Sequence, residues 1–413
     1  MHDILPEDQK YFQKIFHVVQ SMADFYAFGK IDTPILEDSE LFSRGVGMST
    51  DIVSKQMYSL RTKGGDSLTL RPEGTAPVMR AYLENGMQNL PQPVKLWYAG
   101  PFFRYEHPQA GRYRQFYSFG FEVLGETGAV IDVQMIQIFY NILKDLKLKN
   151  LVVEINSIGD SQCRSYYKKL LVSYFKSREQ ALCQDCKRRL RENPLRILDC
   201  KEEKCQPVKA QAPQMIDHLC EECHKHFKEV LEFLDEIELP YQLNPYLVRG
   251  LDYYTKTVFE ICEVSDKKSL ALAGGGRYDA LSKLLGKKNI PAVGGAAGIE
   301  RIIEIMKAKG IKSHEEASVD VFLAQLGNMA KRKSLKILEE FRKLKISVGE
   351  SFGRDSLKAQ LTRANKLNAK YTLIIGQREA LEGSAIIRDM ANGKQDTVKI
   401  EKVVHEINKK LKK

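Results

Sequence analysis

The stretch from Val94 to Gly125 reads VKLWYAGPFFRYEHPQAGRYRQFYSFGFEVLG, and it decides the fold of the larger part of the chain. Val94–Arg104 and Gln115–Gly125 are rich in aromatic and branched apolar residues, which favour strands. The polar residues between them, Tyr105–Arg114, include Pro108 and Gly111, two residue types typical of turns. Two strand patterns joined by one such loop predict an antiparallel pair.

An amphipathic helix and a short strand precede this pair. Apolar residues recur at three-and-four spacing, which predicts a helix over 7–28. Pro6 suits its first turn, and Gly29 suits the position just past its end. A short strand is predicted at 30–33, and Pro34 limits its hydrogen bonding on one side. A further strand pattern at 67–71 ends at Arg71.

The chain after the pair changes its pattern twice. Helical patterns dominate 128–147 and 161–235, and strand patterns return at 257–264 and 269–274. A short lysine-rich segment after Met306 predicts a linker. Strands and helices then alternate, which predicts an α/β domain with a largely parallel sheet. These last elements are strands at 319–326, 346–348, 371–375 and 384–388 and helices at 329–344 and 355–368.

Composition bounds the class of protein. The 413 residues are 43% apolar and 28% charged, which excludes a mainly disordered, collagen-like or disulfide-framed chain and suggests two or three domains. No apolar run approaches the roughly 18 residues of a membrane span. The first residues have neither a basic start nor an apolar stretch, so we expect no secretory signal and no membrane partner. Eight cysteines then indicate reduced thiols or metal ligands in a cytoplasmic protein.

The net charge of +11 is unevenly distributed. Residues 318–413 hold 21 basic and 11 acidic side chains, whereas residues 1–317 hold 43 and 42. A neutral body with a basic C-terminal domain indicates a polyanionic partner, RNA or DNA before a membrane. A lysine-rich solubilising tail is the alternative explanation.

Arginines recur beside glycines and carboxylates. The guanidinium group is a permanent cation with a planar fork of donors that suits phosphate oxygens, and glycine permits close backbone approach to a ligand. Each cluster alone is more often a structural ion pair than a ligand site, and the glycine triplet matches neither a dinucleotide-binding nor a P-loop spacing. The clusters lie at 71–75, 103–106 with 112–115, 249–254, 274–279 and 298–301.

The order and spacing of these clusters resemble the bacterial histidyl-tRNA synthetases, a family of class II aminoacyl-tRNA synthetases. The residues that carry the resemblance are Asp3-Ile4-Leu5-Pro6, the 7–28 helix with the strand ending at Pro34 (motif 1), 100–116 (motif 2), 247–255 and 274–279 (the histidine-specific motifs) and 293–301 (motif 3). The resemblance covers almost the whole chain, and its most specific segment is Arg249-Gly250-Leu251-Asp252-Tyr253-Tyr254.

The resemblance implies an α+β protein. A class II antiparallel-sheet catalytic core is interrupted by a helical insertion and followed by a C-terminal α/β anticodon-binding domain. The implied parts are the first part of the core, the insertion with most of the cysteines, the second part of the core, a linker and the anticodon-binding domain, at 1–160, 161–238, 239–307, 308–317 and 318–413. A homodimer formed through motif 1 is also implied.

The implied activity is that of a histidine–tRNA ligase. ATP and L-histidine form histidyl-adenylate with release of pyrophosphate, and histidine then moves to the 3′ end of tRNA(His). By the resemblance, Arg104 and Arg249 are catalytic and hold the α-phosphate from two sides. The implied ATP-binding residues, which act together with Mg²⁺, are Arg104, Glu106, Arg112, Phe116 and Arg301.

Histidine selection needs an anion for the α-ammonium and hydrogen-bonding groups for the two ring nitrogens. The implied histidine-binding residues are Glu73, Gly74, Thr75, Ser118, Glu122, Tyr253 and Tyr254, and the implied contacts to the tRNA acceptor end are His107 and Gln109. Three positions depart from the family pattern. Ser118 stands where many members have Gln, His107 where Arg is common, and Gly295 where a bulky residue is usual, which predicts looser packing there.

Six cysteines lie within 183–223. Two C-x2-C pairs, Cys183 with Cys186 and Cys220 with Cys223, predict one structural zinc site, because tetrahedral Zn²⁺ takes four thiolate or imidazole ligands. Cys200, Cys205, His224 and His226 compete as ligands. Reduced thiols without a metal are the alternative.

Two other functions compete with the ligase. A synthetase-like regulatory subunit of histidine biosynthesis keeps this core but tends to lose catalytic motif residues and the anticodon-binding domain. An RNA-binding sensor would be expected to have broken phosphate-binding arginines. Arg104, Arg249 and Arg301 are intact, and the basic domain is present, so the sequence favours the ligase.

Overall fold

The computed structural model describes residues 2–48, 50–106, 113–264, 269–313 and 319–412. The chain divides into two compact units, Met1–Ser313 and His314–Lys413. In the part of the chain that is described, no helix is long and apolar enough to cross a membrane.

The N-terminal unit is built on a large sheet. Its described strands are β1 (Gly29–Lys30), β2 (Leu36–Asp38), β3 (Tyr58–Arg61), β4 (Ser67–Leu70), β5 (Val94–Phe103), β6 (Gln115–Leu124), β7 (Leu151–Ser157), β8 (Tyr241–Leu243), β9 (Thr255–Val264), β10 (Ser269–Arg277) and β11 (Ala292–Gly298). Eight of these described strands form the sheet in the order β1-β5-β6-β11-β10-β9-β7-β8, and β2, β4 and β3 form a separate small sheet.

The predicted antiparallel pair forms the second and third strands of this sheet. β5 and β6 pair from Val94 opposite Leu124 to Phe103 opposite Gln115. The next four strands continue antiparallel, while β1 and β8 pair in parallel at the edges. The connection between β5 and β6 contains residues 107–112, which lie outside the described residues.

Glycines let two central strands approach closely. Gly275 of β10 lies opposite Gly295 of β11, and a Cβ on Gly275 would be 2.1 Å from the carbonyl oxygen of Gly294. No side chain larger than hydrogen fits there. This bare section of the sheet leaves room for a cavity above it.

Helices cover the faces of the sheet. Ala129–Asp145 packs Phe139 against Phe119, Phe121 and Phe259 of the sheet, with ring centroids 5.8–6.4 Å apart. The first helix, Pro6–Phe25, buries one apolar face as predicted, and ends before Ala27, whose φ is +57°. The other helices of this unit are Ser39–Phe42, Thr75–Glu84, Ser161–Lys176, Gln184–Glu192, Gln206–Ala210, Glu221–Glu236, Leu281–Leu284 and Ile299–Ala308.

The insertion after β7 has its own small core of cysteine, leucine and aromatic side chains. Its last helix, Glu221–Glu236, is different, because Phe227, Val230 and Leu234 belong to the main core of the unit. Arg277, His226 and Thr257 all bind the buried carboxylate of Asp132. The insertion is therefore anchored to the sheet through a fully buried ionic network.

The C-terminal unit contains a five-stranded sheet among its described residues, in the order β13-β12-β14-β15-β16. Its strands are β12 (Val321–Gln325), β13 (Val348–Glu350), β14 (Tyr371–Ile375), β15 (Ser384–Asp389) and β16 (Gln395–Lys399), and its helices are Asn328–Lys343, Leu357–Lys366, Gln377–Glu382 and Val403–Leu411. The prediction of a largely parallel sheet was only half right, because β15 and β16 run antiparallel. The helix between β14 and β15 has six residues, too few for the usual parallel crossover.

Candidate active site

A cavity of about 620 Å³ opens in the N-terminal unit over β5, β6, β10 and β11. Its walls are formed by residues of the segment 249–254, by the start of the helix Thr75–Glu84 and by residues of the insertion between Cys183 and Glu202. Of the predicted site residues, those that line it are Glu73, Gly74, Thr75, Arg104, Glu106, Phe116, Ser118, Arg249, Tyr253, Tyr254 and Arg301. The structure therefore brings together residues that are more than 200 positions apart in the chain.

Arg104 enters the cavity just after β5. Its Nε donates to the carbonyl of Pro72 at 2.9 Å, and its guanidinium lies over the Phe116 ring, 5.3 Å from the centroid. Burial lowers the pKa of Arg104, while Glu106 and Glu73 oppose that effect. Two contacts thus fix the side chain before any ligand is present.

Arg249 enters the cavity from a different segment. It forms an ion pair with Glu260, and its guanidinium lies 5.7 Å from the centroid of the Tyr254 ring. Burial alone would lower the pKa of Arg249, but the negative charge of Glu260 outweighs it and the pKa is raised. Its buried Nε has no hydrogen-bond partner among the described residues. That donor is available for a ligand oxygen.

A glycine makes room for Arg249. A Cβ on Gly274 would lie 2.6 Å from Nη1 of Arg249, closer than side chains tolerate. The charge of Arg249 also contributes to the lowered pKa of Arg104, so the two cations are close enough to repel each other. Two mutually repelling arginines in one cavity favour an anionic ligand.

Glu73 lies at the N-terminus of the helix Thr75–Glu84. Its carboxylate accepts hydrogen bonds from the backbone N–H groups of Thr75 and Ala76, at 2.7 and 2.9 Å, and from the hydroxyl of Tyr253 at 3.2 Å. Burial raises the pKa of Glu73, although these donors favour the charged form. The carboxylate is held rigidly at the cavity wall.

Glu122 lies in β6 beneath the cavity and is fully buried. Three hydroxyl groups donate to its carboxylate, from Thr75 at 2.7 Å, Tyr278 at 2.5 Å and Tyr98 at 3.4 Å. Burial raises the pKa of Glu122 to about 8. This carboxyl group therefore holds a proton near neutral pH, which makes it both a donor and an acceptor.

Tyr98 and Tyr278 were missed by the sequence analysis as site residues. Tyr98 fits between Gly74 and Gly120, because a Cβ on either glycine would lie within 2.5 Å of its ring. Tyr278 is 1% exposed and packs against Tyr253 with ring centroids 5.7 Å apart. Glu260, the partner of Arg249, was also missed. Tyr278 could have been found through the motif 274–279 that contains it. Tyr98 and Glu260 could have been found only through their strand positions, since both point to the same side of the sheet as predicted site residues.

Two further predicted residues, Ser118 and Arg301, form hydrogen bonds with the backbone of the sheet. Ser118 turns its hydroxyl to the carbonyl of Ala297 at 2.9 Å, and Arg301 donates to the carbonyl of Ala271 at 2.8 Å. The predicted residues that lie outside the described residues are His107, Gln109 and Arg112.

Gly295 does not loosen the packing, contrary to the expectation from its departure. A Cβ at this position would lie 2.8 Å from the ring of Phe139. The space that a bulky side chain would occupy is already filled by Phe139, which packs under β11.

The structure does not bring the four predicted zinc ligands together. Cys183 and Cys186 group with Cys200 and Cys205, whereas Cys220 and Cys223 group with Asp160 and Cys163. The prediction of one site from the two C-x2-C pairs was therefore wrong in its ligands. His226 belongs to neither group. Its Nε2 instead lies 2.7 Å from Asp132.

Comparison with protein families gives the ancestry of this arrangement. The family model described as Histidyl-tRNA synthetase matches residues 1–302, and the one described as Anticodon binding domain matches residues 320–410. The chain belongs to the histidyl-tRNA synthetase family. The predicted fold class is confirmed, with a class II synthetase catalytic domain followed by an anticodon-binding domain.

Individual relatives agree with the family match. A histidine–tRNA ligase of Dehalococcoides mccartyi is 45% identical over 409 residues, which cover 99% of this chain and 98% of the relative. The crystal structure of apo histidyl-tRNA synthetase from S. aureus superposes with a TM-score of 0.82 at 35% identity, with 98% of each chain covered.

A more distant structure has the same fold. It is described as an ATP phosphoribosyltransferase regulatory subunit/histidyl-tRNA synthetase from Bacillus halodurans. It has a TM-score of 0.62 and 21% identity, and covers 91% of this chain and 96% of its own. At this identity the likeness shows the fold alone, so the function has to be argued from the site.

Proposed function

We propose that this chain is a histidine–tRNA ligase that activates L-histidine with ATP and transfers it to the 3′ end of tRNA(His). The single observation that supports this most is the convergence of Arg104 and Arg249 on one cavity that also presents Glu73. A carboxylate must attack a phosphate there, so the ligands bring two anions together. Two fixed guanidinium groups neutralise both and hold them in line.

In this proposal the two arginines hold the α-phosphate from two sides. Arg104 is fixed by Pro72 and Phe116, and Arg249 is fixed by Glu260 and keeps its Nε free for an oxygen of the ligand. Because each is already positioned, little reorganisation accompanies the transition state. Pyrophosphate leaves on the opposite side of the phosphorus from the attacking carboxylate.

Mg²⁺ neutralises the outer phosphates of ATP when it is bound. Glu106 lines the cavity beside Arg104 and offers the carboxylate oxygens that Mg²⁺ takes together with phosphate oxygens. In this proposal Phe116 and Arg301 hold the adenine ring, and Arg112 reaches the outer phosphates. His107 and Gln109 meet the acceptor end of the tRNA.

Histidine is recognised at both of its ends. Glu73, with Gly74 and Thr75 beside it, binds the α-ammonium group, which is a compact cation. Glu122, Tyr253, Tyr254 and Ser118 form the side of the pocket that meets the imidazole. A site that bonds both ring nitrogens rejects side chains that lack them by roughly 10⁴-fold or more.

We also propose how the chain meets its tRNA and a second subunit. The C-terminal domain, with a net charge of +10 over residues 318–413, positions the tRNA through its phosphates. The protein works as a homodimer in the cytoplasm, and zinc bound in the insertion is structural. The domain boundaries proposed are 1–160, 161–238, 239–307, 308–317 and 318–413.

Histidine-dependent ATP–pyrophosphate exchange tests the proposal, with each of the twenty amino acids supplied separately. We expect exchange with histidine alone, and a loss of at least about 100-fold in Arg249→Ala, since a cation that stabilises developing charge contributes that much. Arg342→Ala is the matched control, because Arg342 is an exposed helix residue of the C-terminal unit that pairs only with Glu339 among the described residues.

The regulatory-subunit alternative predicts a different result. A folded wild-type protein that shows no exchange with any amino acid would contradict the ligase proposal and favour the alternative. Exchange with another amino acid would contradict the assignment of histidine. Circular dichroism of Arg249→Ala separates a catalytic defect from a folding defect.

A further inference from the structure

Two compact groups of metal-ligating side chains lie in the insertion. Among the described residues, the Sγ atoms of Cys183, Cys186, Cys200 and Cys205 all lie within 4.8 Å of one another. A carboxylate oxygen of Asp160 and the Sγ atoms of Cys163, Cys220 and Cys223 form a second such group. Cys262, in β9, belongs to neither.

The spacing of both groups fits a tetrahedral ion. Zinc–sulfur bonds of about 2.3 Å place ligand atoms about 3.8 Å apart at the corners of a tetrahedron. The Sγ atoms of Cys183 and Cys200 are 3.9 Å apart, and Cys220 Sγ lies 3.9 Å from Asp160 Oδ2. A disulfide uses two sulfur atoms, whereas each group here converges four ligands on one point.

Backbone N–H groups point at the sulfur atoms of both groups. The N–H of Cys183 donates to Cys205 Sγ at 3.2 Å, and the N–H of Cys186 donates to Cys183 Sγ at 3.4 Å. In the second group the N–H of Cys220 donates to Cys163 Sγ at 3.1 Å. Such donors stabilise thiolates and orient them toward a metal.

Helix N-termini add to this arrangement. Cys183 is the N-cap residue of the helix Gln184–Glu192, Asp160 is that of Ser161–Lys176, and Cys220 is that of Glu221–Glu236. The positive end of each helix dipole therefore faces a ligand that is negative when it binds a metal.

We propose that the insertion binds two zinc ions, one on Cys183, Cys186, Cys200 and Cys205 and one on Asp160, Cys163, Cys220 and Cys223. Both sets are closed four-ligand sites of the kind that serves structure and leaves no position for a substrate. Thiolates select zinc over magnesium or calcium.

Each zinc site stabilises the loop 249–254 through one arginine. Arg196 lies in the turn between Cys186 and Cys200, and its Nη1 donates to the carbonyl of Arg249 at 3.3 Å. Arg164 lies one turn after Asp160, and its Nη1 donates to the carbonyls of Asp252 and Tyr254 at 3.1 and 2.9 Å. The two ions thus position Arg249 and Tyr254 through hydrogen bonds to the backbone of their loop.

Metal analysis of the full chain, purified without chelator, tests the proposal. We expect two zinc ions per chain in the wild type and in Cys262→Ser. Cys186→Ser and Cys223→Ser should each retain one, because each removes a buried ligand from a different group. A wild type with no zinc or with one zinc would overturn the two-site proposal, as would disulfides found in its place by alkylation and mass spectrometry.

A spectroscopic measurement covers variants that fail to fold. Cobalt(II) replaces zinc in the wild-type chain, and we expect the visible absorption of tetrahedral cobalt thiolate to saturate at two equivalents. Saturation at one equivalent, or octahedral spectra, would contradict the proposal. Zinc binding is independent of the proposed ligase activity, so a chain that binds two zinc ions and shows no exchange would contradict only the activity.

The positioning role rests on the proposed function and has its own readout. Removal of zinc should raise the KM for histidine in the exchange reaction at least about tenfold, the effect of a displaced positioning group, and added zinc should restore it. An unchanged KM in zinc-free, folded protein would overturn this role while leaving the binding sites in place.

Discussion

Gly294 lies so close to Glu122 that no side chain larger than hydrogen fits at this position. A Cβ at residue 294 would lie 1.6 Å from Glu122 Oε2 and would displace the carboxyl group from its three hydroxyl donors. We expect Gly294→Ala to raise the KM for histidine at least tenfold and to cost about 1–3 kcal/mol of unfolding free energy, as overpacking does.

Exchange kinetics and urea unfolding measure these two effects. Gly64→Ala is the control, because its Cβ would meet Asp66 and Thr62 only at ordinary contact distances of 3.5 and 3.6 Å in an exposed loop. A Gly294→Ala protein with wild-type KM would show that the position of Glu122 is unimportant for histidine.

The buried proton on Glu122 makes stability depend on pH. Burial raises the pKa of Glu122 from 4.5 to about 8, so the folded state holds a proton that the unfolded chain releases. The free energy of unfolding therefore falls as the pH rises through this window, by up to about 1.4 kcal/mol per pH unit for one group. Burial also raises the pKa of Glu300 to about 7. This group therefore also lowers the free energy of unfolding as the pH rises.

Glu122→Gln isolates this contribution, because glutamine replaces the protonated carboxyl without titrating. Glu300 titrates in both proteins, so their difference reports on Glu122. We expect the free energy of unfolding of the variant, measured in urea, to increase relative to that of the wild type between about pH 5.5 and about pH 8. Parallel pH profiles for the two proteins would contradict the raised pKa.

Strands differ in how far the sequence predicts them. β5 and β6 were predicted within one residue, because aromatic and branched side chains fit a half-buried strand. β11 reads AVGGAAG and was not predicted, because little in those residues favours a strand on its own. It becomes one because β6 and β10 pair with it on both sides, and its glycines are needed by Glu122 and Gly275.

A substitution in the helix Ser161–Lys176 tests the contact of this helix with the loop 249–254. Arg164→Ala removes two hydrogen bonds to the backbone of Asp252 and Tyr254. We expect the KM for histidine to rise at least about tenfold with little change in the melting temperature, since a charge-assisted hydrogen bond contributes about 1.5–3 kcal/mol. Lys168→Ala, exposed on the same helix, is the control. Equal kinetics in the two variants would contradict a positioning role for this helix.

The site could be predicted only where local motifs carry it. Arg104 and Arg249 were identified through sequence motifs, whereas Tyr98 and Glu260 reach the site through contacts that only the assembled sheet creates. The cysteines show the same limit. Their spacing suggested that the two C-x2-C pairs share one ion, but the turn after Gln184–Glu192 returns the chain so that Cys200 and Cys205 close the first group. Closing a short loop costs less entropy than closing a long one.

At the scale of the whole molecule, the separation of charge predicts a separation of salt effects. The N-terminal unit carries the cavity, while residues 318–413 carry nearly all of the net charge. Binding through phosphates releases counterions and weakens steeply with salt, so we expect the KM for tRNA to rise at least about tenfold between about 50 and 200 mM KCl. Histidine-dependent exchange, which needs no tRNA, should change less than about twofold over the same range, because buried charges are screened little. Aminoacylation and exchange assays run in parallel measure both. If the two responses were equal, the basic domain would not be the main contact to the tRNA backbone.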